Sequence, residues 1–220
     1  MAEARHDTAS ARPPIRAVIF DLGGVVLGSP LHAIADFERE HDLPPGFVNR
    51  VVVETGAGGA WARHERGEVQ TEIFMEEFAR ECSSAGHALS VPELFQRMQE
   101  ISEVRPRMLD AIRRIRAQGL LTAALTNNFP NDADDRGGRA LRAHFDGFFE
   151  SSTLGLHKPD PRIYQHACQA LRVEPPESVF LDDIGRNLKT ARTLGMVTIK
   201  VDDPDTALRQ LETLLGFPLG

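Results

Sequence analysis

The sequence predicts an α/β fold, a parallel sheet with helices on both faces, interrupted once by a helical insertion. Three observations carry that reading. Short β-branched, apolar runs recur along the chain, and amphipathic helical patterns separate the later ones. A long stretch after the first run holds helix signals but no convincing buried strand. Strands that alternate with helices are the pattern of a doubly wound sheet, in which each crossover helix covers one face.

The first element is Arg16-Ala-Val-Ile-Phe-Asp21, a run that ends on an acid and then on glycines. An unbroken apolar run bounded by turn residues reads as a strand buried on both faces, as parallel sheets require. Comparable runs lie at Leu120–Leu125, Phe148–Ser151, Ser178–Leu181 and Met196–Val201. Met108, Leu109, Ile112 and Ile115 form one helical face, closed by Gly119 just past its end. Ile163, Ala167 and Leu171 form a second face, and Leu188, Ala191 and Leu194 a third, stopped by Gly195. A final helix carries Leu208, Leu211 and Leu215 ahead of Gly216.

Within the insertion, Ser29-Pro30 reads as an N-cap with proline at the first helical position, followed by Leu31, Ile34 and Ala35. Ile73, Phe74 and Phe78 share a face, and Ser90 and Glu93 have capping-box spacing ahead of Leu94, Phe95 and Met98. Gly56-Ala-Gly-Gly59 reads as a loop. The expected division is a polar tail at 1–14, a core domain made of 15–28 and 104–220, and a helical cap at 29–103.

Composition narrows the class. With 41% apolar and 26% charged residues the chain matches ordinary globular proteins rather than a disordered or fibrous one. A net charge of −7 argues against broad electrostatic binding to nucleic acid or an anionic membrane, while leaving room for a local positive pocket. No run approaches the ~20 apolar residues that span a bilayer. Met1–Pro14 lacks the apolar centre of a secretory signal. Cys82 and Cys168, without CxxC spacing, suit core thiols in a reducing compartment. The expected setting is the cytoplasm, with a small phosphorylated molecule as partner and a monomer or homodimer as the acting unit.

Ligands of an open parallel sheet bind beyond the carboxyl ends of its strands, so the polar residues ending each strand are read together. The first strand ends in Asp21, the second in Thr126-Asn127-Asn128 and the fourth in Asp182-Asp183; Lys158 follows the third. Each alone has a plain alternative as a turn, a helix cap or a solvated loop residue. Together they suit a hard, oxygen-liganded cation beside a phosphoryl group. Two carboxylates, a backbone carbonyl and waters suit Mg²⁺. Asp21 could act as nucleophile, splitting hydrolysis into two displacements. Lys158, the Thr126 hydroxyl and backbone N–H groups could balance charge on the phosphoryl oxygens. Gly23 and Gly24 let the backbone turn sharply and approach the phosphate.

At this point the chain resembles the haloacid dehalogenase-like hydrolases. The four motifs of that superfamily match Ile19-Phe-Asp21-Leu-Gly-Gly-Val-Val26, Leu125-Thr126-Asn127, Lys158-Pro159-Asp160 and Phe180-Leu-Asp182-Asp183-Ile-Gly-Arg-Asn187, in order, over essentially all of 15–220. Within the superfamily, the chain looks like the phosphatase-type N-terminal domain of soluble epoxide hydrolases and the similar domain of an acyl-CoA dehydrogenase relative. The resemblance implies a Rossmann-like core with a helical cap and a Mg²⁺-dependent phosphatase. By it Asp21 is nucleophile and metal ligand, Asp183 a second ligand, and the Gly23 carbonyl a third. Thr126, Asn127, Lys158 and Gly24 would bind substrate, with Thr126 and Lys158 also catalytic, and Asp182 and Asn187 would support the metal from behind.

One departure matters. Phosphatases of the superfamily usually carry a second Asp two residues after the nucleophile, as acid and then base; here that position is Gly23. General acid–base catalysis is typically worth about 10²–10⁴-fold, so an acid must come from elsewhere or the leaving group must be good. His32, Asp36 and His64 are candidate donors by type alone, and core or surface roles fit each of them better. Two alternatives follow from Gly23: a metal-free dehalogenase, and a non-catalytic phosphate-binding module. Trp61 and several phenylalanines of the insertion could line an apolar pocket, though packing among themselves is the simpler expectation.

Overall fold

Ala17, Val18, Ile19 and Phe20 are wholly buried, and they form β1 (Ala17–Phe20), the middle strand of the sheet. The computed structural model describes residues 13–100, 103–130 and 136–220, so only Pro13 and Pro14 of the expected tail fall within it. The other strands are β2 (Leu121–Thr126), β3 (Gly147–Glu150), β4 (Ser178–Asp182) and β5 (Val197–Lys200). Their order is β3-β2-β1-β4-β5, and every pairing is parallel. From β1 the chain steps outward through β2 and β3, then crosses back to β4 and β5. That reversal makes the carboxyl ends of β1 and β4 the switch point, where a crevice opens. Register places Phe20 opposite Leu181, so Asp21 and Asp182 come off adjacent strands at the same level.

The helices are α1 (Pro30–Glu40), α2 (Phe47–Thr55), α3 (Ala60–Glu65), α4 (Thr71–Ser84), α5 (Val91–Glu100), α6 (Pro106–Ala117), α7 (Arg136–Arg142), α8 (Ser151–Leu154), α9 (Pro161–Leu171), α10 (Gly185–Thr193) and α11 (Pro204–Leu215). Alternate residues of a strand face opposite ways. Val18 and Phe20 therefore pack with Met108, Ile112, Ile115, Leu208 and Leu211 of α6 and α11. Ala17 and Ile19 pack with Ile163, Tyr164, Ala167, Leu188 and Ala191 of α9 and α10. Each fully buried Val, Leu, Ile, Phe or Met side chain among them contributes about 1.5–3 kcal/mol. The fold class is the expected one.

Helices α1 to α5 hold an apolar cluster of their own, in which Phe37, Phe47, Trp61, Phe74, Phe78 and Phe95 are buried. Phe129, in the segment after β2, packs into this cluster from the sheet side. The two regions also meet backbone to backbone. Gly67 has φ +69°, and a Cβ there would lie 2.6 Å from the Ser152 carbonyl oxygen of α8, so only glycine allows the approach.

Local departures from the sequence reading have physical causes. The run at 148–151 was expected to be strand to its end, but β3 stops at Glu150 and Ser151 opens α8. Ser151 Oγ accepts the Asn128 N–H at 2.9 Å, a tether between two strand ends. Gly56–Gly58 forms a 3₁₀ turn joining α2 to α3. Only half of the capping box forms: Glu93 N–H donates to Ser90 Oγ at 3.4 Å, while the Glu93 carboxylate faces His41 Nε2 at 3.2 Å. Ser29 stands at the N-cap of α1, but its hydroxyl is drawn elsewhere, to Asp183. Among the described residues no helix is long and apolar enough to cross a membrane. Cys82 and Cys168 are free and buried.

Candidate active site

β1 releases the chain at Asp21 into a tight turn, Leu22–Val26, broken from helical geometry at Gly23 and Gly24. Asp21 Oδ1 accepts the Leu22 N–H at 2.7 Å and lies 2.9 Å from Lys158 Nζ. Lys158 Nζ also donates to Asp182 Oδ2 at 2.8 Å, and the ammonium is almost fully buried. Asp182, wholly buried, accepts the Ile184 N–H at 2.7 Å and Asn187 Nδ2 at 3.1 and 3.2 Å. Tyr164 fixes Asn187 in turn by donating its hydroxyl to the Asn187 carbonyl at 3.1 Å. Asp183 is less enclosed, and its Oδ2 accepts the Ser29 hydroxyl at 3.3 Å.

One carboxylate oxygen from each of Asp21, Asp182 and Asp183 lies within 4.8 Å of the others. Three carboxylates and one ammonium leave a formal charge of −2 in a mostly buried space. Burial pushes the Asp21 carboxyl well above the usual carboxylate range against the opposing Lys158 charge, with Asp182 and Asp183 adding to the rise. Burial and Asp182 raise Asp183 as well. Burial alone would lower the Lys158 ammonium, but Asp182 and Asp21 hold it above the ordinary lysine value. Hard oxygen donors with an unbalanced charge of −2 fit a divalent cation such as Mg²⁺.

Gly24 has φ +77°, and a Cβ there would lie 2.1 Å from Asp183 Oδ2, so the carboxylate occupies the space that glycine leaves. Arg105 Nη1 holds the turn by donating to the Gly24 and Val25 carbonyls at 2.6 and 3.1 Å. Gly23 sits beside Pro30, whose Cδ would be 3.2 Å from an added Cβ. A side chain at 23 is therefore crowded by the start of α1.

Of the residues singled out from sequence, Asp21, Lys158 and Asp182 meet directly, Asp183 joins the acids, Asn187 backs Asp182, and Gly24 lies against Asp183. Thr126 is buried at the tip of β2, its Oγ1 donating to the Asn127 carbonyl at 3.3 Å. The Asn127 side chain is already engaged: Oδ1 accepts the Lys158 N–H at 2.7 Å, and Nδ2 donates to the Lys158 carbonyl at 3.0 Å and to Glu65 Oε2 at 3.2 Å.

None of the three cap donors considered has the setting of one. His32 is exposed, Asp36 pairs with Arg39 at 2.9 Å, and His64 is stacked on Phe74 and Phe129. Trp61 lies buried among Phe74, Phe78, Phe95 and Phe129, so these rings pack against each other. Sequence reasoning missed Ser29, Arg105 and Glu65. Ser29 was read as a cap only, Arg105 carries no local pattern that separates it from a solvated charge, and the one signal for Glu65 is its place a helical turn after Trp61.

The model of the haloacid dehalogenase-like hydrolase family matches residues 15–195. Mouse acyl-CoA dehydrogenase family member 10 is 44% identical over 96% of the chain, and pig bifunctional epoxide hydrolase 2 is 42% identical over 93%. The chain spans only 20% and 40% of those relatives' lengths. A sesquiterpene phosphatase of Aspergillus oryzae is 25% identical over 91% of the chain and 97% of its own length. Among solved structures, a Bacteroides thetaiotaomicron enzyme of the same family, in complex with magnesium and inorganic phosphate, superposes with a TM-score of 0.59 at 20% identity, covering 84% of this chain and 93% of that one. The chain belongs to the haloacid dehalogenase-like hydrolases.

Proposed function

We propose that the protein is a Mg²⁺-dependent phosphohydrolase of small phosphorylated metabolites, acting through an aspartyl-phosphate at Asp21. The observation that carries this reading is the convergence of Asp21, Asp182 and Asp183 on one space with Lys158 as the ammonium between two of them. With its three acids ionised the site carries −2 and repels an anionic substrate until a cation is present. When bound, Mg²⁺ would favour the ionised carboxylates and offset their charge before an arriving phosphoryl group. Asp21, the Gly23 carbonyl and Asp183 are the groups that would hold it.

An Asp21 oxygen attacks phosphorus, the bond to the leaving oxygen breaks, and water later cleaves the aspartyl-phosphate. Lys158 sits 2.9 Å from the nucleophile, where it orients the carboxylate and balances charge on the phosphoryl oxygens. Thr126 offers a hydroxyl from the next strand tip. Because the Asn127 amide is tied to Lys158 and Glu65, Asn127 would serve phosphate through its backbone N–H. Asp182 and Asn187 keep Lys158 in place from behind. Residues 29–103 act as the cap over this crevice, and residues 15–28 and 104–220 as the core. A named phosphatase related over nearly its full length supports phosphate esters as the substrate class. A dehalogenase needs no cation, so the charge of −2 favours the phosphatase reading.

The test is a hydrolysis screen over sugar, acyl, nucleotide and lipid phosphates with Mg²⁺, with chelator, and with Asp21→Asn. Turnover should require Mg²⁺ and fall at least about 10⁴-fold in Asp21→Asn while the variant stays folded, as read by its far-UV circular dichroism. Turnover of a 2-haloacid that ignores chelation would replace this reading with the dehalogenase one.

A further inference from the structure

We propose that Glu65 is the general acid for the leaving-group oxygen and then the base toward the attacking water, replacing the carboxyl that Gly23 lacks. This rests on the phosphohydrolase reading above.

Glu65 is the last residue of α3, which brings it to the seam between the helical region and the strand tips. Its Oε1 accepts the Trp61 Nε1–H at 3.1 Å and its Oε2 accepts Asn127 Nδ2 at 3.2 Å. That same amide is tied at both ends to the backbone of Lys158, whose ammonium touches Asp21. Glu65 thus stands one amide away from the residue that binds the nucleophile. Each carboxyl oxygen has two acceptor directions, and each N–H uses one. The directions left over can carry a proton.

The surroundings keep that proton exchangeable. Lys158, Arg186 and Arg66 all exert favourable charge on Glu65, yet among the described residues none forms an ion pair with it. Burial pushes the carboxyl up to about 7, against the opposing hydrogen bonds of Trp61 and Asn127. An acid tuned near the working pH is the one best matched to proton transfer. The usual seat for the acid holds no side chain at Gly23, and Pro30 crowds it, its Cδ 3.2 Å from where a Cβ would stand. His64, the neighbouring titratable group, is buried, bonded to the Val69 carbonyl and sandwiched by rings.

The step balances without a further reactant. As Asp21 attacks and the phosphorus–oxygen bond breaks, the Glu65 proton passes to the departing alkoxide. The resulting carboxylate takes a proton from the water that then attacks phosphorus. The bond to Asp21 breaks, inorganic phosphate leaves, and both carboxyls return to their starting states.

The experiment compares kcat/KM for p-nitrophenyl phosphate, whose leaving group needs no proton, with that for glycerol phosphate, whose leaving group does. Glu65→Gln should lower the glycerol phosphate to p-nitrophenyl phosphate ratio by about 10²-fold. In the wild type, kcat/KM for glycerol phosphate should fall as pH rises through about 7, with the aryl ester lacking that limb. Equal losses on both esters, or a basic limb shared by both esters, would overturn the assignment. The wild-type comparison stands even if Glu65→Gln does not fold. Absence of any wild-type turnover would instead overturn the phosphohydrolase reading, and the role of Glu65 with it.

Discussion

Two buried regions of this molecule, the strand tips and the helical stretch between β1 and β2, handle polarity in different ways. At the strand tips three carboxylates and an ammonium are drawn into one space, and each is fixed by named hydrogen bonds. The helical region is built round rings, Trp61, Phe74, Phe78 and Phe95, joined by Phe129 from the sheet side, and its buried Glu38 is met by the Gly46 and Val48 N–H groups. The first arrangement is costly to hold without a counter-charge. The second is stable as it stands. On the function proposed above, chemistry belongs to the strand tips and apolar packing to the helices, with Glu65 at the border where the two meet.

Breaking the charged arrangement should have the larger effect on stability. Lys158→Met removes the counter-ion of two buried carboxylates, Asp21 and Asp182. Losing one partner of a buried ion pair costs about 3–5 kcal/mol, because the charges left behind are unpaired. Urea unfolding should show that loss at neutral pH, and Mg²⁺ should recover part of it. An unchanged midpoint would mean that the two acids do not depend on Lys158 as their counter-ion. Phe129→Ala tests the other region. Full removal of a buried Phe costs about 3–5 kcal/mol, and Phe129 is only partly buried, so about 2 kcal/mol is expected. Because the ring links the helical region to the segment after β2, KM should rise more than kcat falls. A variant with wild-type stability would show that the ring stack is incidental to docking.

The same contrast explains what the sequence disclosed. Parallel strands buried on both faces must be apolar throughout, so Ala17–Phe20 and its four partners were readable as strands to within a residue or two. The sheet then fixes where each strand ends, which is why Asp21, Thr126 and Asp182 could be read as neighbours although they are far apart in the chain. The helical region has no such rule. Glu65 lies in Ala60-Trp-Ala-Arg-His-Glu65, one turn after Trp61 and on its face, but a charged residue ending a short helix reads as solvated, and only the packing of α3 against the strand tips shows what it meets. Ser29 looked like a helix cap because its type and position fit one, yet Asp183 captured its hydroxyl. Nothing in the order of residues showed that Pro30 would stand over Gly23, since that contact depends on how α1 leaves the turn.

The most direct measurement is a calorimetric titration of Mg²⁺, in the presence of inorganic phosphate, into the wild type and into Asp183→Asn. Convergence of the three acids predicts one site in the wild type and at least about a tenfold loss of affinity in the variant, a difference of about 1.4 kcal/mol. Absence of binding to the wild type, or equal affinity in both proteins, would contradict a divalent cation held at the tips of β1 and β4.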